Sequence, residues 1–459
     1  MDTRRVGAHA FWQRLGRHGE RAAVVDDSRH TVVSYHELSG LVARQSAQLQ
    51  GATRTLAAVE MGADLGALVG YLSALESGHV VWPYTPDAPA DAHRELLRSY
   101  EPGIVMARHA GYQIVTIAGP AAPLHSDLAM ILATSGSTGS SKFVRLSHGN
   151  LSASAEQTAR VLGLQPNDRI VTSLPLHHIY GLSVLHGALA VGATLVLSSH
   201  SVLDRRSWDL IERERVTLLP AVPTQLRMMQ ESHFERRVPS HLRLITISGS
   251  SMGAATQRWL TEELIPRRVS ICSMYGMTEA CGRIAALPPD QFAAHPASVG
   301  RAVSGGALAV APSGEIVYRG PNVMLGYARA RGDLERGDEL VGRLATGDCG
   351  SLDAHGNLYV LGRLSRWCKV CDQRVDLDDL EKGLAGAGYG AVAMISDDRR
   401  IFMFHTELAQ GERLAGTLDL LAQSLHLPRG VFVSIHVQEI PRTASGKTSY
   451  GALRARPGT

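Results

Sequence analysis

The run Thr134-Ser135-Gly136-Ser137-Thr138-Gly139-Ser140-Ser141-Lys142 is rich in hydroxyls and glycine and ends on a lysine. It follows the apolar run 128–133, which reads as a buried strand. Glycine has no Cβ and tolerates positive φ, so backbone amides and hydroxyls on such a loop can converge on an anion. Lys142 adds a compact positive charge suited to phosphate. A flexible Ser/Gly linker is the other meaning of this composition, but a strand before it and a lysine after it favour a phosphate loop. The glycine spacing is not that of the Walker loop, whose lysine directly follows its second glycine. A different nucleotide-handling arrangement is implied.

Four further segments carry groups of the same chemistry. Ser273-Met274-Tyr275-Gly276-Met277-Thr278-Glu279 sets an aromatic ring, a hydroxyl and a carboxylate close together, although alone it reads equally well as a strand end. Thr346-Gly347-Asp348 offers a turn carboxylate able to hold a ribose diol, or simply to cap its turn. Gly362-Arg363 brings a guanidinium to a change in sequence texture, and Pro441-Arg442-Thr443-Ala444-Ser445-Gly446-Lys447 places a lysine on a glycine-containing loop.

The elements that must position these groups alternate. Apolar, β-rich runs at 56–59, 79–82, 169–173, 194–197, 216–219 and 244–247 are separated by amphipathic stretches at 63–75, 151–162 and 222–229. That alternation predicts parallel sheets covered by helices. Ser34-Tyr35-His36-Glu37 has the spacing of a capping box, with Leu38, Leu41 and Val42 following at helical intervals. From about residue 300 short strands between turns (314–320, 356–360) predict a β-rich subdomain. Beyond Arg363 the pattern is that of a small α+β unit, with strands near 391–395, 401–405 and 431–437 and a helix near 413–425. The expected class is α/β: a large N-terminal domain of helix-covered sheets with the β-rich subdomain (1–362), and a small mobile α+β C-terminal domain (363–459).

At 459 residues the chain exceeds one ordinary domain. Net charge is only +3 and no basic-aromatic cluster stands out, so neither nucleic acid nor a membrane surface is an expected partner. The beginning of the chain lacks the apolar stretch of a secretory signal, and five scattered cysteines suit a reducing cytoplasm. Cys368 and Cys371 have the spacing of a metal or redox half-site, but without a second pair they read as incidental small residues.

Taken in order, these segments resemble the adenylate-forming superfamily of acyl-CoA synthetases, adenylation domains and luciferase-like enzymes. The likeness spans the chain, from Tyr35-His36-Glu37-Leu38 through the run 78–83, the phosphate loop and Ser147-His148-Gly149-Asn150, to Lys447. The resemblance implies a ligase that uses ATP and Mg²⁺ to join a small carboxylic acid to AMP, releasing pyrophosphate. Its small domain then rotates so that a thiol can take the acyl group. By the same resemblance Thr134, Ser135, Gly136, Ser137, Thr138, Gly139 and Lys142 hold the departing pyrophosphate, Tyr275 stacks on adenine and Thr278 contacts the α-phosphate. Glu279 holds Mg²⁺, Asp348 and Arg363 grip the ribose, Gly249 and Ser250 line the pockets, and Lys447 bridges carboxylate and phosphate.

Leu174-Pro175-Leu176-His177-His178-Ile179-Tyr180 resembles the entrance of the acyl pocket, with His178 where acyl- and aryl-CoA synthetases carry histidine. Ile179 stands where amino-acid-activating relatives place an aspartate, which favours an acid without an α-amino group. The expected wall (222–224, 248–252, 274–277) is small or apolar, fitting a short-to-medium aliphatic or compact aryl acid. Departures cluster at the hinge: Ser365 replaces the usual Asp or Lys, and Asp372 stands where relatives have glycine beside the thiol path. Asp379 replaces a common Glu, and Ser141 a common proline. They leave adenylation intact and bear on the second step, for which a carrier-protein phosphopantetheine is favoured slightly over CoA. A non-catalytic nucleotide or acyl binder with a drifted small domain, and an amino-acid-activating enzyme, are the alternative readings.

Overall fold

The computed structural model describes residues 10–49, 53–85, 90–108, 112–116, 123–133, 142–202, 204–371, 373–386, 389, 392–397, 399–406, 411–425, 427–442 and 448–456. The phosphate loop at 134–141, Asp372 and Lys447 lie outside them.

Two large sheets dominate. In the nine-stranded one, Ser270–Tyr275, Leu244–Ile247, Leu218–Ala221, Arg169–Val171, Thr194–Leu197 and Ala22–Asp26 lie side by side and parallel. Antiparallel strands close both edges: Thr31–Ser34 on one, Ala285–Ala286 and Arg301–Ala302 on the other. The seven-stranded sheet runs in the order Gly326–Ala328, Phe143–Ser147, Leu128–Ala133, Val80–Tyr84, Leu56–Glu60, Ile104–Arg108, Tyr112–Thr116. Strand side chains alternate between faces, and here both faces are buried, which is why the strands read as unbroken apolar runs. Val24, Leu195 and Leu218 of the first sheet and Ala57, Val59 and Met130 of the second enter one shared core. The helices Tyr35–Leu49, Leu65–Glu76, His148–Val161 and Ile179–Val191 lie in it. Val25, Val196 and Leu219 face outward onto Leu210, Leu226 and Trp259 of an outer helical layer. Leu56, Ala58 and Leu128 pack against the side of the helix Ala90–Tyr100 that carries Leu96, Leu97 and Tyr100. The result is a five-layer sandwich of alternating helices and sheets, in agreement with the α/β expectation.

Local chemistry sets the helix starts. The backbone N–H of Ser34 donates to Glu37 Oε2 at 2.7 Å and the Glu37 N–H to Ser34 Oγ at 3.1 Å, the reciprocal capping box that the spacing predicts. Ser147 and Asn150 form a second one, at 2.9 and 3.0 Å. Asn150 Nδ2 also donates to the carbonyls of Pro321 and Val323, both at 2.8 Å, and so ties the helix after the phosphate loop to the β-rich region. The strand expected at 216–219 is shifted by two residues, to Leu218–Ala221. Val216 donates back to Ile211 and finishes the preceding turn. Pro220 reads as a stop because it lacks a donor, yet it pairs in register with Thr246 and its carbonyl accepts from the Ser173 hydroxyl.

The β-rich region is a four-stranded antiparallel sheet in the order Ala307–Val310, Glu315–Arg319, Arg343–Leu352, Leu358–Arg363. Beyond it the pair Trp367–Val370/Gln373–Asp376 and the sheet Val392–Ser396, Ile401–His405, Phe432–His436 enclose their own cores with the helices Leu377–Gly386 and Gly411–Ser424. Buried Arg366 anchors that unit. It pairs with Asp378 at 2.5 Å and with Glu381, donates to the Met394 carbonyl and lies 3.8 Å over the Tyr450 ring. Among the described residues no helix is long and apolar enough to cross a membrane.

His186, fully buried in the shared core, is 2.7 Å from the Tyr71 hydroxyl, and its Nδ1 has no partner among the described residues. Burial pushes its pKa down to about 3. The folded form therefore keeps it neutral while the unfolded chain protonates it below its ordinary value. Its contribution is complete above that value and is lost as pH falls toward 3, at about 1.4 kcal/mol per pH unit. His186→Leu is expected to shrink the drop in stability between pH 7 and pH 4.5 by about 2 kcal/mol in urea unfolding. An unchanged pH dependence would show that the imidazole is protonated in the fold.

Candidate active site

The expected site residues sit on the ends of strands from three sheets. Tyr275 ends the strand Ser270–Tyr275 of the nine-stranded sheet. Thr278 and Glu279 follow on a single helical turn, Thr278–Ala280. Gly276 makes this turn possible, because a Cβ there would fall 1.6 Å from the Gly282 carbonyl oxygen. Asp348 lies in the β-rich sheet directly opposite Arg363 in the antiparallel register, so the cross-strand pairing itself brings the two together.

Asp348 joins these elements. Its Oδ1 accepts from Arg363 Nε at 2.8 Å and its Oδ2 from the Tyr275 hydroxyl at 2.5 Å. Burial raises the carboxyl's pKa, the Arg363 charge and the Tyr275 hydrogen bond oppose that rise, and Glu279 and Asp378 add to it. Asp378 belongs to the C-terminal unit, so its charge is felt at this carboxylate. Burial, and then the adjacent Asp348, raise the Tyr275 phenol, which stays a donor at neutral pH. Arg363 is about half exposed, leaving its remaining N–H groups open to solvent.

A second group lies nearby. Glu279 is buried, and its Oε1 accepts from the Tyr327 hydroxyl at 2.8 Å. Lys142, the last residue of the phosphate loop, sits 3.9 Å from the centre of the same Tyr327 ring. Tyr327 pairs with Val144 in the strand that follows the loop, which fixes the lysine, the ring and the carboxylate against one another. Tyr327 was not among the residues singled out from the sequence; its position after Gly326, whose φ is +146° and whose Cβ would meet Glu339, is the local signal.

Other expected residues lie along the same rim. Gly249 (φ +108°) turns the chain after Leu244–Ile247, where a Cβ would touch Val222 at 3.4 Å, and Ser250 beside it is exposed. His178 is the N-cap of Ile179–Val191 through its backbone carbonyl, which accepts from Leu182, with its ring 4.2 Å from that of His177. Burial pushes His177 down to about 4, so it is neutral at pH 7. The structure thus brings Lys142, Tyr275, Glu279, Asp348 and Arg363 into one region and places Thr278 beside it. His178 starts the helix Ile179–Val191, and Gly249 and Ser250 form the turn after Leu244–Ile247. Thr134 to Gly139 and Lys447 fall outside the described residues.

The arrangement offers a phenol ring beside a buried carboxylate, a hydroxyl on a turn, a second carboxylate with oxygen donors suited to a hard cation, and a lysine leading from the loop. Comparison with known proteins agrees with that chemistry. The model of the AMP-binding enzyme family matches residues 116–328. Indoleacetate–CoA ligase of Aromatoleum aromaticum is 33% identical over 360 residues, covering 73% of this chain and 68% of that protein. L-proline–[L-prolyl-carrier protein] ligase of Pseudomonas fluorescens is 29% identical over 350 residues, covering 71% and 68%. In fold, the chain superposes on o-succinylbenzoate CoA synthetase from Bacillus subtilis in complex with its acyl-adenylate intermediate, with a TM-score of 0.81, 23% identity and coverage of 98% and 99%.

If Tyr327 holds the Glu279 carboxylate, Tyr327→Phe should destabilise the protein by about 1–2 kcal/mol. In a double-mutant cycle with Glu279→Gln, urea unfolding should give a coupling of similar size. Strict additivity would mean that the bond contributes nothing.

Proposed function

This chain belongs to the AMP-binding enzyme family, and from that membership we propose that it is an AMP-forming acid–thiol ligase. It activates a small carboxylic acid with ATP as an acyl-adenylate and passes the acyl group to a phosphopantetheine thiol. The observation that carries this reading is the junction at Asp348, where a ring, a buried carboxylate and a guanidinium meet beside the Glu279–Tyr327–Lys142 group.

In the proposed mechanism Asp348 and Arg363 hold the ribose diol and Tyr275 stacks on adenine. The bond from Tyr275 to Asp348 orients the ring and the carboxylate together. Thr278 contacts the α-phosphate, Thr134 to Lys142 take the pyrophosphate, and Glu279 would hold Mg²⁺, which supplies charge neutralisation on the phosphates. The acid carboxylate attacks the α-phosphorus, and pyrophosphate leaves with the electron pair of the broken P–O bond. Two anions must meet in this step, so Lys447, brought between them, acts where charge develops. His178 stands at the acyl-pocket entrance, and Gly249 and Ser250 line the adenine and acyl pockets.

We assign 1–362 to the adenylating core and 363–459 to a mobile domain whose pivot is Ser365, with Arg363 itself still paired into the β-rich sheet of the core. Ser365 sits in the single turn Leu364–Arg366, immediately before the anchoring residue Arg366. A hinge residue beside a fixed one lets the small domain turn as a body. Relatives named as CoA ligases and as a carrier-protein ligase support a thiol acceptor of either kind.

Pyrophosphate–ATP exchange across fatty, aryl, hydroxy and amino acids tests this. Exchange should depend on one class of acid, and Lys447→Ala should lower it about 10²–10³-fold while ATP still binds. Supplying that acid with either CoA or a phosphopantetheinylated carrier protein then names the acceptor. ATP binding without exchange for any acid would favour a non-catalytic binder.

A further inference from the structure

Arg283 is buried, and among the described residues no carboxylate lies within ion-pair distance of it. It leads into the short strand Ala285–Ala286 and is 3% exposed. Its Nε donates to Met274 Sδ at 3.0 Å, and its Nη1 to Thr158 Oγ1 at 2.6 Å and Ser183 Oγ at 2.9 Å. Its guanidinium carbon lies 5.8 Å from the centre of the Tyr180 ring, and Nη2 is buried without a partner among the described residues. Burial lowers its pKa, yet arginine remains charged in proteins. A buried cation supported only by neutral groups is costly. Such a local violation is expected where function requires it.

Its neighbours define where it is. Met274 immediately precedes Tyr275 and lies in the segment expected to wall the acyl pocket. Tyr180 opens the helix behind His178, and its hydroxyl lies 2.8 Å from Thr246 Oγ1, on the strand that leads to Gly249. Ser183 is one turn further along that helix. Gly282 has φ +119°, and a Cβ there would approach Ser183 Cβ to 2.9 Å, so the backbone beside Arg283 runs close against the helix Ile179–Val191. Arg283 thus lies between that helix and the strand end that carries Tyr275.

We propose that Arg283 recognises a second carboxylate on the substrate, so that the acid activated is a dicarboxylic acid. One carboxylate reacts with ATP, and the distal one pairs with the guanidinium, oriented by the Thr158 and Ser183 hydroxyls. This rests on the acid–thiol ligase reading and names its substrate class. An apolar acid would leave the cation without a counter-charge, and an amino acid would bring a second positive group toward it. The wall is thus less neutral than its sequence implies, because Arg283 enters it from outside the expected segments.

The test pairs linear and aromatic dicarboxylic acids with their monomethyl esters in pyrophosphate–ATP exchange. Wild type should use a diacid about a hundredfold better than its half-ester. Arg283→Leu should abolish that preference, and Arg283→Lys should keep part of it. Thermal unfolding supplies a readout independent of turnover. Without acid, Arg283→Leu should melt no lower than wild type, because an uncompensated charge has been removed; diacids should raise the melting temperature of wild type only. Equal use of diacids and half-esters by wild type would overturn the proposal. So would an Arg283→Leu protein that melts well below wild type with its acid preference unchanged. If no acid supports exchange, the ligase reading fails, and the melting series still decides Arg283: a diacid shift lost in Arg283→Leu supports it, and no shift with any diacid overturns it.

Discussion

A single buried carboxylate joins the parts of this molecule. Asp348 belongs to the β-rich sheet, Tyr275 to the end of the nine-stranded sheet and Arg363 to the last strand before the C-terminal unit, and both donate to Asp348. An ionised carboxylate taken out of water is tolerable only with such partners. The need to satisfy it therefore fixes how the sheets meet. The cross-strand register that opposes Asp348 and Arg363 makes one of the contacts nearly inevitable. The other requires the chain to turn at Gly276, where no side chain would fit.

Electrostatics at this junction also link the two units. Glu279 and Asp378 both raise the Asp348 carboxyl, so negative charge accumulates where the C-terminal unit approaches. Asp378 is at the same time the partner of Arg366, the residue that anchors that unit. A rotation about the proposed pivot Ser365 that carried Asp378 away would relieve repulsion at Asp348 without breaking the Arg366 network, because that network joins only Arg366 and residues after it. The short distance in sequence between Arg363 and Arg366 separates a residue held by the core from one held by the small unit.

Much of the fold was legible because its physics is local or periodic. Strands buried on both faces announced themselves as apolar runs, and the Ser34–Glu37 box needed only its spacing. The Leu218–Ala221 boundary was missed because a proline reads as a stop from its missing donor, while its carbonyl is still free to bond. At the site, Tyr275, Asp348 and Arg363 were legible only as motif residues in sequence, and the structure shows their contacts. Tyr327 was not, since its role depends on pairing across to Val144, a contact distant in sequence. Lone charges are harder still. Arg283 sits among Ala280, Cys281, Gly282, Ile284, Ala285 and Ala286, an apolar setting that marks it as unusual, but only the fold shows what surrounds it.

The two ends of the proposed substrate site therefore differ in kind. At the end proposed for the nucleotide, the buried carboxylates have partners within the protein: Asp348 has Arg363 and Tyr275, and Glu279 has Tyr327. Such a site is preorganised, and its groups do not wait on the ligand. At Arg283 the guanidinium has hydrogen-bond acceptors but, among the described residues, no counter-charge. A group left in that state discriminates strongly, because a wrong ligand forfeits an interaction and also keeps the charge buried unpaired. Recognition of the acid would then come from a cost that only the right substrate removes, while chemistry relies on charges the fold has already satisfied.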